Sequence, residues 1–296
     1  MTESKGLDIP PEWRKIDLEQ LHGTVMIIGA PDTGKSTFAL YLTQCFLEYE
    51  TKRVAFLDGD PGQSSLGIPS TISLVLSAQV TEGGLLMTKE DKKYFIGSNS
   101  PQAHMLPMLV GGVKLIKAAE EGGKDLVIYD TSGLIDPNQG GIALKSAKID
   151  SLNPSAVIAI QSEASELEPL LYPYRRSKRI RIIDLKPSTV VLKKSQEHRL
   201  LHRSQLYRNY FKDSHFLTID WNTCPIFPIP RFSMNRLIAF EDRNGFTVSL
   251  GIVTDLDRVK GQVTIYTPMQ SMRNINAIRI GDMSLEITTF RDQRII

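Results

Sequence analysis

Apolar positions along this chain fall into two kinds of block. Through roughly its first two thirds, short continuous apolar runs at 25–28, 54–57, 126–129 and 156–160 are bounded by glycine or charged residues, the mark of strands buried on both faces. Between them, 35–48, 101–121 and 141–151 have the length and spacing of helices, the second ended by Gly122-Gly123 where a C-cap glycine belongs. Strands alternating with helix-length segments predict βαβ units and a mainly parallel sheet flanked by helices. Residues 69–100 break the rhythm. Runs at 71–76 and 93–97 flank turn material at Glu82-Gly83-Gly84 and predict an inserted hairpin. Further on, 188–192 reads as a short extended piece and 195–212 as a strongly basic helix.

The pattern changes near Trp221. Residues 224–230 carry Pro225, Pro228 and Pro230 and cannot be helical. After them, alternating runs at 246–250, 263–266 and 277–280 are separated by Asn244-Gly245, Lys260-Gly261 and Gly281-Asp282, which predicts a small C-terminal β unit. The expected division is a lead-in segment at 1–22, a nucleotide-binding domain at 23–220 and a β-rich domain at 221–296. A length of 296 residues and an apolar fraction of 41% suit one large α/β domain with a full core and a smaller companion.

Composition excludes several classes. Only two cysteines occur, Cys45 and Cys224, too few for a disulfide framework or a zinc site. A net charge of +2 does not announce nucleic-acid binding, so any such reading must rest on local clusters. The start of the chain is polar, and no apolar run approaches the ~20 residues that span a bilayer, so a soluble, cytoplasmic protein without membrane contact is expected.

The residues that carry chemistry begin where the first strand-like run ends. Gly29-Ala30-Pro31-Asp32-Thr33-Gly34-Lys35-Ser36 satisfies the phosphate-binding pattern G-x-x-x-x-G-K-[ST]. Its glycines let consecutive N–H groups turn toward phosphate oxygens, and the next helix aims its positive end the same way. This predicts an α/β P-loop NTPase in which residues 29–37, Thr37 included, hold ATP or GTP. Lys35 would reach the β- and γ-phosphates and Ser36 would ligate Mg²⁺.

Ligands in open α/β sheets sit beyond the carboxyl ends of the strands, where Asp58-Gly59-Asp60-Pro61-Gly62-Gln63 and Asp130-Thr131-Ser132-Gly133 also fall. Asp60 is expected to be the base that accepts a proton from the nucleophile, and to share in the metal site. Asp130 is expected in the Mg²⁺ shell, through water. The plainer reading makes Asp58 and Asp60 a solvated turn.

The chain resembles the polynucleotide 5′-hydroxyl kinase family, which includes RNA kinases of pre-mRNA cleavage and pre-ribosomal RNA processing. The 58–63 stretch is similar to the family's D-x-D-x-G-Q element and 130–134 to its clasp. Residues 144–154 resemble the family's segment after the clasp. Arg199 and Arg203, with Tyr207, Tyr210 and Phe211 behind them, are similar to its R-x-x-x-R lid. The likeness covers about 23–212 in one motif order.

It implies a Mg²⁺-dependent kinase that phosphorylates the 5′-OH end of RNA or DNA, with Asp60 as base and Lys35 bridging the phosphates. Arg199 and Arg203 would close over the transferring group, and Gln63, Thr131 and Ser132 would line the acceptor's path. Spacing agrees for the arginines, since i and i+4 share one helix face. Leu134 stands where many members carry an aromatic residue, and the 22 residues before the core imply a compact, prokaryotic-type member.

Arg175, Arg176 and Arg179, with Lys178 and Arg181 and behind Tyr172 and Tyr174, form the densest positive cluster. Cations interleaved with aromatics suit a single strand, and a charged surface turn is the alternative. His104, His198 and His202 lack ligand spacing. The competing function is a nucleotide-switch ATPase or GTPase of the partitioning or metal-insertion type, which would activate water and need neither the arginine pair nor the basic cluster.

Overall fold

The computed structural model of the chain describes residues 9–49, 52–77, 79–81, 84–86, 91–162, 166–188 and 193–295. In chain order its elements are β1 (Gly23–Gly29), α1 (Lys35–Tyr49), β2 (Val54–Gly59), β3 (Thr71–Val75), β4 (Gln79–Thr81), β5 (Gly84–Leu86), β6 (Lys92–Phe95) and α2 (Met105–Glu121). Next come β7 (Leu126–Thr131), α3 (Gly141–Leu152), β8 (Ala156–Ile160), α4 (Glu168–Ser177), β9 (Arg181–Leu185) and α5 (Gln196–Tyr210). The last strands are β10 (His215–Asp220), β11 (Ile226–Phe227), β12 (Arg236–Glu241), β13 (Thr247–Asp257), β14 (Gln262–Thr267), β15 (Ala277–Leu285) and β16 (Asp292–Arg294). The chain forms two compact units. One comprises Met1–Asp60, Ser73–Asp91 and Gly112–Lys194, the other Pro61–Ile72, Lys92–Gly111 and Ser195–Ile296.

In the first unit the strands run in the order β3-β2-β7-β1-β8-β9. β7 and β8 flank β1 in parallel, β2 is parallel to β7 and β9 to β8, while β3 returns antiparallel to β2. This is the mainly parallel α/β sheet that the alternation of runs predicts. Residues 25–28 are wholly buried, as are Phe56, Ile128 and Ile158, so no polar alternation marks these strands. Helix α1 supplies Phe38, Leu42 and Phe46 at fourfold spacing, all buried. The lead-in segment packs there too, through Trp13, whose ring meets Phe38 edge-on at 5.0 Å.

The two runs of the expected hairpin within 69–100 form β3 and β6, which are neighbours in one sheet. Between them in sequence β4 and β5 pair antiparallel with Thr81 opposite Gly84, and β3 also pairs with β2. The turn residues Glu82 and Gly83 lie outside the described residues, as do 189–192 of the expected extended piece.

In the second unit the strands run β10-β14-β13-β12-β15-β11, with β16 on β15. Successive residues of β12 serve opposite faces, as a pleated strand requires. Leu237 and Ala239 pack with Phe95, Tyr207 and Phe211, whereas Ile238 and Phe240 pack with Ile219, Val263 and Ile278. Where the composition shift suggests a boundary at 221, the last segment of the second unit starts at Ser195, and α5 covers one face of this sheet with Tyr207 and Phe211. The earlier segment 92–111 joins it through Phe95 and through the close approach of Gly97 to Gly281, where an added Cβ would stand 3.1 Å from the Gly281 Cα.

Candidate functional site

The phosphate-binding loop grows out of β1 where only glycine fits. A Cβ on Gly29 would lie 2.5 Å from the carbonyl oxygen of Ile160 on the neighbouring β8. Gly34 closes the loop at φ 90, in the left-handed region. Ala30 O accepts bonds from Thr33 Oγ1 at 3.0 Å and from Lys35 Nζ at 2.5 Å, so the loop is bound to itself. Helix α1 starts at Lys35, and its first amides have no carbonyl within the helix, which is the anion-binding property of a helix start. Asp32 accepts from the backbone N–H of Lys194 at 3.2 Å, the residue just before the α5 N-cap Ser195.

Strand register brings the acids to this loop. Asp130 stands opposite Ile27 of β1 on one side and Asp58 of β2 on the other. Both carboxylates are 1% exposed, two charges side by side in the interior. Burial raises the Asp130 carboxyl to about 7, and Asp58 adds to the rise. A hydrogen bond with the Ser36 side chain and the charge of Lys35 pull the other way, while Asp60 again raises it. Asp60, half-buried, comes just after the end of β2 and donates its backbone N–H to Asp58 Oδ1 at 3.2 Å.

These residues fit Mg²⁺. Asp130 Oδ1 is buried with no hydrogen-bond partner, and a hydroxyl and carboxylates are the hard oxygen donors that ion takes. Among the described residues no group of three or more His, Cys, Asp or Glu could hold a metal ion.

The turn after β7 is pinned from below by two lysines that sequence reasoning assigned no role. Lys145 and Lys148, on α3, are fully buried. Lys145 Nζ donates to Thr131 Oγ1 at 2.7 Å and to Ser132 O at 2.5 Å. Lys148 Nζ donates to Tyr129 OH at 2.5 Å and lies 4.8 Å from that ring's centre. Burial holds Lys145 well below the usual lysine range and brings Lys148 down to about 7. Thr131 in turn donates to Ile27 O at 2.7 Å, and a Cβ on Gly133 would press within 2.9 Å of Pro31. The clasp-like turn is thereby packed on the phosphate loop, with Ser132 Oγ buried and unpartnered.

Asp130 also makes stability depend on pH. Its unfolded carboxyl titrates near ~3.9, its folded one near about 7, so within that window the folded state holds the extra proton and stability falls as pH rises. Asp130→Asn mimics the protonated form. Without nucleotide or Mg²⁺, it should raise Tm at pH 8, by about 2–4 °C for each kcal/mol relieved, and leave it unchanged at pH 4. A thermal melt at both values checks this.

The other expected site residues are distributed over both units. Lys35, Ser36, Asp60, Asp130, Thr131 and Ser132 gather in the first. Gln63, half-buried with its amide donating to Gly62 O at 2.7 Å, belongs to the second, as do Arg199 and Arg203. The anion that Arg203 meets is the Asp292 carboxylate, at 2.9 Å. Of the basic cluster, Arg175 is held by Glu168 at 3.3 Å and Asp184 at 2.7 Å. Arg176 lies 5.9 Å from the Tyr172 ring, and Arg179 is exposed, 3.9 Å from Asp150. His104 bonds Asp282 at 3.0 Å. Asp58 has a place in the site that its turn-like sequence context hid. No helix among the described residues is long and apolar enough to cross a membrane.

The chain is similar to known proteins. A polyribonucleotide 5′-hydroxyl-kinase of Methanocaldococcus jannaschii is 33% identical over 217 residues, which span 73% of this chain and 58% of that protein. One of Pyrococcus abyssi is 26% identical over an aligned length of 326, covering 90% of this chain and 89% of that protein. Among solved structures, Clp1p in a wild-type Clp1p–Pcf11p complex has the same fold, with a TM-score of 0.67 at 15% identity over 88% of this chain and 74% of that one. Residues 29–213 match the family described as the mRNA cleavage and polyadenylation factor CLP1 P-loop. That match begins at the first glycine of the phosphate loop and takes in more than half of the sequence, and the chain therefore belongs to the CLP1 P-loop family.

Proposed function

We propose that the protein is a polynucleotide 5′-hydroxyl kinase, moving the γ-phosphate of ATP or GTP to the 5′-OH end of RNA or DNA with Mg²⁺. The observation that carries this reading is the register of Ile27, Asp130 and Asp58 across three adjacent strands, which sets acids beside the phosphate loop. The Methanocaldococcus jannaschii and Pyrococcus abyssi relatives are named polyribonucleotide 5′-hydroxyl-kinases, which favours RNA as acceptor.

The backbone N–H groups of residues 29–37 other than Pro31, and Lys35, bind the phosphates. Asp60 takes the proton of the 5′-hydroxyl as its oxygen bonds to the γ-phosphorus and the bond to the β,γ-bridging oxygen breaks, releasing the diphosphate. Asp58 fixes the backbone of Asp60 from behind. Bound Mg²⁺ would neutralise phosphate charge, held by Ser36, by Asp130 through water and by Asp60. Arg199 and Arg203 are assigned to the charge that grows on the transferring group.

Gln63, Thr131 and Ser132 are assigned to the acceptor. Thr131 spends its hydroxyl on Ile27 and Lys145, so Ser132 is the hydroxyl with bonding capacity left to offer. Arg176 and Arg179, beside the exposed Tyr172, suit the phosphates and bases of a single strand, with Arg175 bracing α4 against β9.

Labelled γ-phosphate, offered as ATP or GTP with matched 5′-OH RNA and DNA oligonucleotides, tests the reading. Label should reach the 5′ end only with Mg²⁺ and acceptor both present. Phosphate released at one rate with or without acceptor, and no labelled end, would replace the kinase by a nucleotide switch.

A further inference from the structure

The two buried lysines of α3 serve different parts of β7. Lys148 bonds the side chain of Tyr129, within the strand. Lys145 reaches to the strand's end and beyond it, one N–H going to Thr131 Oγ1 at 2.7 Å and another to the backbone carbonyl of Ser132 at 2.5 Å. Two N–H groups are what those bonds need, and a lysine amine carries them with or without its third proton. An apolar side chain would be cheaper to bury, but it would leave the Ser132 carbonyl unpaired in the interior.

The turn that Lys145 holds lies against the phosphate loop. A Cβ on Gly133 would stand 2.9 Å from the Cα of Pro31, so glycine is what permits the approach. Thr131 passes the tie on to β1, the strand that runs into the loop, by donating to Ile27 O at 2.7 Å. Lys35, Asp60 and Asp130 are near enough for their charges to act on Lys145. What the turn keeps for a ligand is the Ser132 hydroxyl, buried and without a hydrogen-bond partner. Folded proteins seldom leave such a group unmet, and a bond to a ligand oxygen would recover its cost. Its backbone belongs to no regular element, since β7 ends at Thr131 and the next helical turn starts at Pro137. Its position therefore depends on side chains that grip it.

We propose that Lys145 is a positioning residue for the acceptor, holding the Thr131 hydroxyl and the Ser132 carbonyl so that the Ser132 hydroxyl is presented to the 5′ end of the polynucleotide. The proposal rests on the kinase reading. Lys145 neither gives nor takes a proton during turnover; it acts by orientation alone.

The test measures Tm and transfer to a 5′-OH RNA oligonucleotide at saturating ATP, for the full chain and for Lys145→Met, Ser132→Ala and the double variant. Lys145→Met should lower kcat/KM for the oligonucleotide about 10- to 100-fold. In the Ser132→Ala background the same substitution should lower it no further, because the hydroxyl it orients is gone. Lys148→Met is the comparison, removing an equally buried amine that bonds Tyr129 instead of the turn. It should lower Tm and show no coupling to Ser132. Should Lys145→Met fail to fold, Thr131→Val keeps the shape of the side chain and removes one of the two acceptors, and its loss should likewise vanish in the Ser132→Ala background. An unchanged or raised kcat/KM in either single variant, a loss of one size with and without the Ser132 hydroxyl, or the same coupling in Lys148→Met would overturn the proposal while the kinase reading stands. A wild-type chain that labels no 5′ end would overturn both.

Discussion

Replacing Asp60 with asparagine is expected to slow 5′-phosphorylation about 10²- to 10⁴-fold, the range of a positioned general base, while nucleotide affinity measured without Mg²⁺ stays as it was. The substitution keeps the shape of the side chain and removes its capacity to accept a proton. Asp58 is the reason the effect should be confined to chemistry. It is buried, it bonds the backbone N–H of Asp60, and that bond is indifferent to which side chain residue 60 carries. Single-turnover transfer to a 5′-OH oligonucleotide, beside nucleotide titration of the same variant, separates the two quantities. Transfer at the wild-type rate would remove Asp60 from its role.

Lys35→Ala should produce a loss of similar order, at least the 10²- to 10³-fold seen on removing one donor from a preorganised anion site, with nucleotide binding weakened as well. Lys35 is 7% exposed and its Nζ reaches Ala30 O, so the ammonium sits within the loop that the phosphates would occupy. Where Asp60→Asn leaves binding intact, Lys35→Ala removes charge felt in both the bound and the transition state, and kcat and KM should move together. Unchanged transfer would mean that the loop binds something other than the triphosphate being split.

Much of the site was legible before any fold was known. Gly29, Gly34, Lys35 and Ser36 are recognisable because the geometry of phosphate binding dictates both residue type and spacing. Asp130 closes an apolar run, which marks a strand tip. Asp58 was hidden by its neighbours, since Asp-Gly-Asp-Pro-Gly is also good turn material; only its register opposite Asp130 shows a second buried carboxylate. Lys145 and Lys148 lie in a stretch whose helical character was visible, yet a lysine three residues from another normally reads as a solvated face. Their burial depends on Tyr129 and Thr131 of β7 and Ser132 just after it, which accept hydrogen bonds from the two ammonium groups. Arg203 had the spacing of an arginine that meets an anion, but nothing in the local pattern named Asp292, 89 positions further on.

By itself the order of residues determined α1, α2, α3 and α5, the parallel sheet around β1 and the phosphate loop, while α4 and β9 went unread in the basic stretch. Each of these arises from short-range rules: apolar runs that must be buried, glycines that alone permit a turn, and a lysine at fixed reach. What the tertiary structure decided is which charged groups share one interior and where the chain divides. The energy of a buried carboxylate or ammonium is set by neighbours distant in sequence. The second unit likewise collects 61–72, 92–111 and everything from Ser195 onward because α5 and Phe95 bury apolar area on the same sheet face, a contact that no local composition announces.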